Sequence, residues 1–187
     1  MSSTGGAEPA GAAARADAAA QRLFLALWPG AALRASLTAL RDLQPWPQRA
    51  APVASERLHL TLHFLGEVPA ARVPSLQAAL AVPLARFVLP LDRVACWAGG
   101  LVVLEASRPP PALLALHAAL ADALRAAGLP ASGRALRPHV TLARHAAGHR
   151  PRAPARALRW PVTGFELVRS RLGPVPRYER LWRRAAA

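Results

Sequence analysis

Histidine and threonine recur together twice in this chain. Arg57-Leu58-His59-Leu60-Thr61-Leu62 returns as Arg137-Pro138-His139-Val140-Thr141-Leu142, so Arg-x-His-x-Thr-Leu occurs once in each half. A single copy reads as an ordinary strand whose histidine bonds to backbone. Two copies in a chain with six histidines point instead to a shared site. Imidazole has an unperturbed pKa of ~6.5, so near neutral pH one ring can accept a proton while another donates one. Hydrolysis of a phosphodiester needs both acts: a base to activate water and an acid to protonate the departing alkoxide. The hydroxyls of Thr61 and Thr141 can donate to non-bridging phosphate oxygens, and Arg144, following the second copy, adds positive charge against them.

Such groups work together only if the fold makes them converge. LHLTLHFLG and RPHVTLAR both alternate like strands. Alternation puts His59 and Thr61 on one face and Leu58, Leu60, Leu62 and Phe64 on the other, which anchors the strand in the core. His139 and Thr141 are placed in the same way, and a pseudo-twofold axis would bring the pairs into one cleft. Around them the chain reads as follows. Residues 1–20 are Ala/Gly-rich and predicted to be a disordered tail, and a single domain covers 21–187. RLFLALWP is a short buried strand stopped by Pro29 and Gly30. Leu33, Leu37 and Leu40 mark one face of a helix, and another runs near Val73 to Leu80. FVLPL and RVACW read as strands, with Ala98-Gly99-Gly100 turning the latter into LVVLEA. Pro111 and Gly128 bracket a helix carrying Leu113, Leu116, Leu120 and Leu124 on one face. After the basic loop HAAGHRPRAPAR, strands are expected near Trp160–Val162, Phe165–Leu172 and Tyr178–Trp182. Long crossover helices are too few for a parallel sheet, so the expected class is α+β: bilobal, two pseudo-twofold-related antiparallel sheets, helices on their outer faces, a central cleft between them.

Composition narrows the partners. The net charge of +14 suits a polyanion, although all 24 basic residues are arginine and the chain has no Lys, Asn or Ile, a pattern that codon bias also produces. With 53% hydrophobic residues the 187-residue chain can bury a sizeable core, yet it has no apolar run long enough to span a membrane. No secretory leader is expected, and the lone Cys96 fits a reducing cytoplasm and excludes an internal disulfide. His59 and His63 have the i, i+4 spacing of a helical zinc pair, but on a strand they stand ~13 Å apart, too far to share an ion. No metal site is therefore expected. His117 reads as an ordinary exposed helix residue, His145 and His149 as part of a solvated loop with RNA backbone contact as the sharper option. Trp97 and Trp160 read as core or rim residues able to stack on a base, and Glu67 as a turn residue.

HLTLHFLG, RPHVTLAR and the C-terminal SRLGPVPRY together resemble the two-histidine phosphoesterase superfamily, within it the bacterial and archaeal RNA 2',3'-cyclic phosphodiesterases, historically called 2'-5' RNA ligases. The resemblance runs from about Arg22 to the C-terminus; His63 departs from it, standing where members often carry a basic residue. It implies hydrolysis of an RNA 2',3'-cyclic phosphate end to a 2'-phosphate, with no cofactor and no metal, and reverse 2'-5' ligation. It also implies that His59 is the proton donor to the 3'-oxygen and His139 the acceptor that activates water, while Thr61, Thr141 and Arg144 bind phosphate. The motif pairing requires one chain, so a monomer is expected. Two other readings remain open: a related phosphoesterase acting on another cyclic phosphate, separable by a substrate panel, and a non-catalytic RNA-binding module, whose function would survive loss of both histidines.

Overall fold

The computed structural model describes residues 20–131, 133, 135–173 and 177–186. The expected tail of residues 1–20 lies outside them except for Ala20, which already belongs to the first strand. A strand, a helix and a motif strand come first: β1 (Ala20–Leu27), α1 (Ala31–Asp42), the two-residue β2 (Ala51–Pro52) and β3 (Leu60–Pro69). There follow α2 (Val73–Ala79), β4 (Phe87–Leu91) and β5 (Arg93–Trp97). Then strand, helix and motif strand recur as β6 (Leu101–Glu105), α3 (Pro111–Ala126) and β7 (His139–Arg144). Three strands close the chain: β8 (Leu158–Val162), β9 (Gly164–Arg171) and β10 (Arg177–Ala185).

The repeat in sequence is thus a repeat in structure. β1 pairs antiparallel with β3, and β6 pairs antiparallel with β7, so each motif strand lies beside the strand that opens its unit. The first unit sits in a four-stranded sheet ordered β10-β9-β1-β3, the second in one ordered β2-β7-β6-β5. The class is α+β, as the element order implies. A third, two-stranded ribbon of β4 and β8 lies beyond what the sequence pattern suggests. Its prolines, Pro90 and Pro161, are tolerated because a ribbon leaves each strand an unpaired edge where a missing N–H costs nothing.

Helix faces follow the leucine spacing. Leu113, Leu116, Leu120 and Leu124 of α3 are all buried, and Leu37 and Leu40 of α1 join them in one core that also takes in Leu23, Leu25 and Leu27 of β1. At its C-terminus α3 closes in a Schellman turn: Gly128 adopts φ +66°, its N–H donates to the carbonyl of Arg125, and that of Leu129 to Leu124. β1 is buried on both faces, since Phe24 and Ala26 pack on Val168 beneath the cleft. No described helix is long and apolar enough to cross a membrane.

Candidate active site

Both motif strands break strict alternation at the same place. In β3, Thr61 lies opposite Ala26 and His63 opposite Leu25, so Leu62 is an extra residue with no partner of its own. In β7, Thr141 lies opposite Val103 and Ala143 opposite Val102, which makes Leu142 the extra residue. A β-bulge of this kind reverses which face the following side chains occupy. His63 and Ala143 therefore turn into the core, while Phe64 and Arg144 turn toward the cleft. This corrects the expected leucine face: Leu58, Leu60 and Leu62 are buried, but Phe64 is 66% exposed. It also explains Arg144. Five residues from His139, it would point away on a regular strand, and the bulge at Leu142 brings it round.

The two halves meet at a cleft of about 420 Å³, and His59, Thr61, His139, Thr141 and Arg144 all line it. Each imidazole is held in the same way. The Nδ1 of His59 lies 2.6 Å from the carbonyl oxygen of Arg57, and that of His139 2.7 Å from the carbonyl oxygen of Arg137. A carbonyl only accepts, so Nδ1 carries the hydrogen in both rings and Nε2 is left for chemistry. Aromatic rings fix the ring planes. Trp28 lies parallel to His59 at 5.2 Å, with Tyr178 edge-on at 5.2 Å, and Trp97 packs on His139 at 4.5 Å. Trp97 also carries the Arg137 guanidinium 3.9 Å above its ring, a rim role among those expected of it. Sequence reasoning missed Trp28, Phe24, Arg57 and Tyr178, which also lie at this site. Arg57 opens the first copy of the repeat and Tyr178 closes SRLGPVPRY, while Phe24 and Trp28 had no signal beyond their place in RLFLALWP.

The electrostatics of the free cleft disfavour protons. Burial lowers His59 to about 4, against the bond to Arg57, with the neighbouring His139 and Arg144 pushing the same way as burial. His139 is lowered too, again chiefly by burial, but its bond to the Arg137 carbonyl and the charge of Glu105 resist the shift. Glu105 lies opposite His139 in the sheet, buried, with Arg93 at 2.6 Å and Arg137 at 3.6 Å. Both rings are thus neutral in the free cleft near pH 7. A bound phosphate reverses this, because its negative charge favours the imidazolium. If one ring must be charged and the other neutral, the competent form of the free protein peaks between the two lowered pKa values. The kcat/KM profile should then be bell-shaped with its maximum below pH 6.5, whereas kcat, which reports the complex, should peak at higher pH. A kcat/KM maximum above pH 8 would contradict this pairing.

Other expected residues fall elsewhere. His63 is 1% exposed and stacks on His117 at 4.0 Å, its Nε2 donating to the His117 carbonyl, and the two rings face each other beneath the bulge. His117 is therefore half-buried and tied to the motif strand, not an ordinary exposed residue. Burial and the facing His63 lower it to about 4. His149 is also buried, stacked on Trp46 and bonded to Gln44, which additionally accepts the N–H of Arg152. The basic loop is pinned by this contact, and His149 is withdrawn from solvent and RNA alike. His145 stays exposed, with φ +55°. Trp160 is core, and Glu67 lies within β3 opposite Arg22 instead of at a turn. Among the described residues no group of three His, Cys, Asp or Glu side chains is placed to hold a metal ion.

Two anchored imidazoles, two hydroxyls and a guanidinium thus line one cleft. The family model of the 2'-5' RNA ligase superfamily matches residues 29–174. The chain is 37% identical over 128 residues to the RNA 2',3'-cyclic phosphodiesterase of Escherichia coli, covering 67% of this chain and 73% of that one. It is 36% identical over 174 residues to the protein of the same name from Thermus thermophilus, covering 82% and 83%. Among solved structures, E. coli LigT complexed with 3'-AMP superposes with a TM-score of 0.82 at 33% identity, over 89% of this chain and 98% of that one. This chain belongs to the 2'-5' RNA ligase superfamily.

Proposed function

We propose that the protein opens RNA 2',3'-cyclic phosphate ends to 2'-phosphates by histidine acid–base catalysis. The observation that carries this reading is the matched anchoring of the two imidazoles, which leaves both Nε2 atoms to one phosphate-sized cleft. The names of the two curated relatives supply the substrate class. His139 Nε2 takes a proton from water as its oxygen bonds to phosphorus. The bond from phosphorus to the 3'-oxygen breaks, and His59 Nε2–H protonates that oxygen. Thr61, Thr141 and Arg144 hold the non-bridging oxygens as charge develops on them. The incoming phosphate provides the charge that lets His59 carry its proton, since the empty cleft does not. A 5'-hydroxyl in place of water would give a 2'-5' linkage at the same phosphorus, so the same groups serve ligation.

The test is product regiochemistry. A cyclic phosphate can open at either oxygen, and water must enter opposite the one that leaves. With the two histidines fixed by separate strands, only one in-line arrangement is productive. The 2'-phosphate should be essentially the sole product from a nucleoside 2',3'-cyclic phosphate, in the presence of EDTA, resolved from its isomer by phosphorus NMR. A 3'-phosphate, a mixture, or a strict need for a divalent ion would sink the reading.

A further inference from the structure

A second cavity, of about 720 Å³, is lined in part by Trp28. Its walls are the start of α1 (Gly30 to Arg34), β8 from Leu158 to Pro161, and residues of β9 and β10. Trp28, which lines this cavity, also stacks on His59 of the cleft.

Its chemistry is uneven in an informative way. The first turn of α1 has no acidic residue, and Gly30 provides no side-chain cap, so the N–H groups of Ala31, Ala32 and Leu33 lack the partner a cap would give them. Arg34, Arg159, Arg180 and Arg183 line the same cavity. Backbone donors at a helix N-terminus with guanidiniums nearby suit a phosphate. One residue does not. Glu166 is 5% exposed, its Oε1 accepts from Arg180 at 3.2 Å, and its Oε2 is buried with no partner. A bare phosphate would be repelled by that oxygen and would leave it unsatisfied, at the cost an orphaned buried acceptor carries. The ligand that satisfies both ends has an anion at one end and N–H donors at the other. A flat body also suits the half-buried indole ring of Trp28.

We propose that this cavity is a second nucleotide site that binds a guanine nucleotide, with the phosphate at the α1 N-terminus beside Arg34 and Arg183 and the N–H edge of the base on Glu166. Guanine presents two adjacent N–H donors on one edge, whereas adenine presents one donor beside an acceptor. The nucleotide comes either free or as an upstream residue of the RNA whose cyclic end occupies the cleft. The second source rests on the phosphodiesterase reading, and the first does not.

The experiment uses the full chain. Equilibrium dialysis with labelled guanosine 5'-monophosphate should find two sites on the wild type, one in the cleft and one here. One should remain in Arg183→Ala, a change at an exposed side chain, and in the near-isosteric Glu166→Gln. Adenosine 5'-monophosphate should bind the second site about tenfold more weakly. Both variants should keep turnover of a mononucleoside 2',3'-cyclic phosphate within about twofold, which also reports that they fold. If RNA fills the site, both should raise KM about tenfold for an oligoribonucleotide with guanosine upstream of its cyclic end. If a free nucleotide fills it, that KM should not move while the dialysis count still falls. A wild-type count of one, with an oligonucleotide KM unaltered in both variants, overturns the proposal. A wild type with no cyclic phosphate turnover but two dialysis sites would instead overturn the proposed function.

Discussion

Replacing either His59 or His139 by alanine is expected to lower kcat on a nucleoside 2',3'-cyclic phosphate by about 10²–10⁴-fold, the range for losing a positioned general acid or base. The double variant should be little slower than the worse single one, because acid and base act in one step and neither is useful alone. Both rings sit among aromatic neighbours, His59 between Trp28 and Tyr178 and His139 on Trp97. Truncation could therefore disturb packing as well as chemistry. Thermal unfolding and phosphate binding should be measured on the same preparations, and neither should change enough to account for the lost rate. Near wild-type turnover by either single variant would end the two-histidine mechanism.

Arg144→Ala should cost about 10²–10³-fold in kcat/KM, the range for removing one preorganised donor from a developing oxyanion. Arg144→Lys should recover part of it, since an ammonium restores the charge but not the two-pronged geometry of guanidinium. The loss should be much smaller at Phe64. That residue occupies the position after the first bulge that Arg144 occupies after the second, and it brings a ring where the other half brings a charge. The cleft is thus symmetric in its imidazoles and hydroxyls and asymmetric at this one pair. Equal losses in Phe64→Ala and Arg144→Ala would mean that Arg144 only shapes the wall.

The repeated motif made the site legible. A pattern of histidine and threonine two residues apart, occurring twice, already implied strands, a cleft and a pseudo-symmetric fold, and His59, Thr61, His139, Thr141 and Arg144 do line one cleft. The helices were legible because leucines at helical spacing have one way to bury together. The bulges at Leu62 and Leu142 were not, since neither carries a glycine or proline to mark it. One wrong parity at Leu62 sufficed to put Phe64 in the core and to leave His63 without its true place against His117. Trp28 was hidden for a different reason: its partner His59 is remote in sequence and reaches it through the β1–β3 pairing. The burial of His149 depends on Gln44 and Trp46, which lie in the opposite half of the sequence.

The sheet order β10-β9-β1-β3 carries a consequence for how the molecule comes into being. β1 is made early in translation, yet its second neighbour, β9, spans Gly164–Arg171 near the end of the chain. Until that segment leaves the ribosome, β1 can pair only with β3, and a strand rich in leucine presents a bare edge. Contacts this distant in sequence also slow folding, because the intervening chain must be gathered before they form. The sheet beside His59, the first of the two histidines to be synthesised, is therefore the one completed last. Chains cut short before β9 should expose that edge and aggregate, whereas the β5–β6 hairpin beside His139 needs only its own neighbourhood to form.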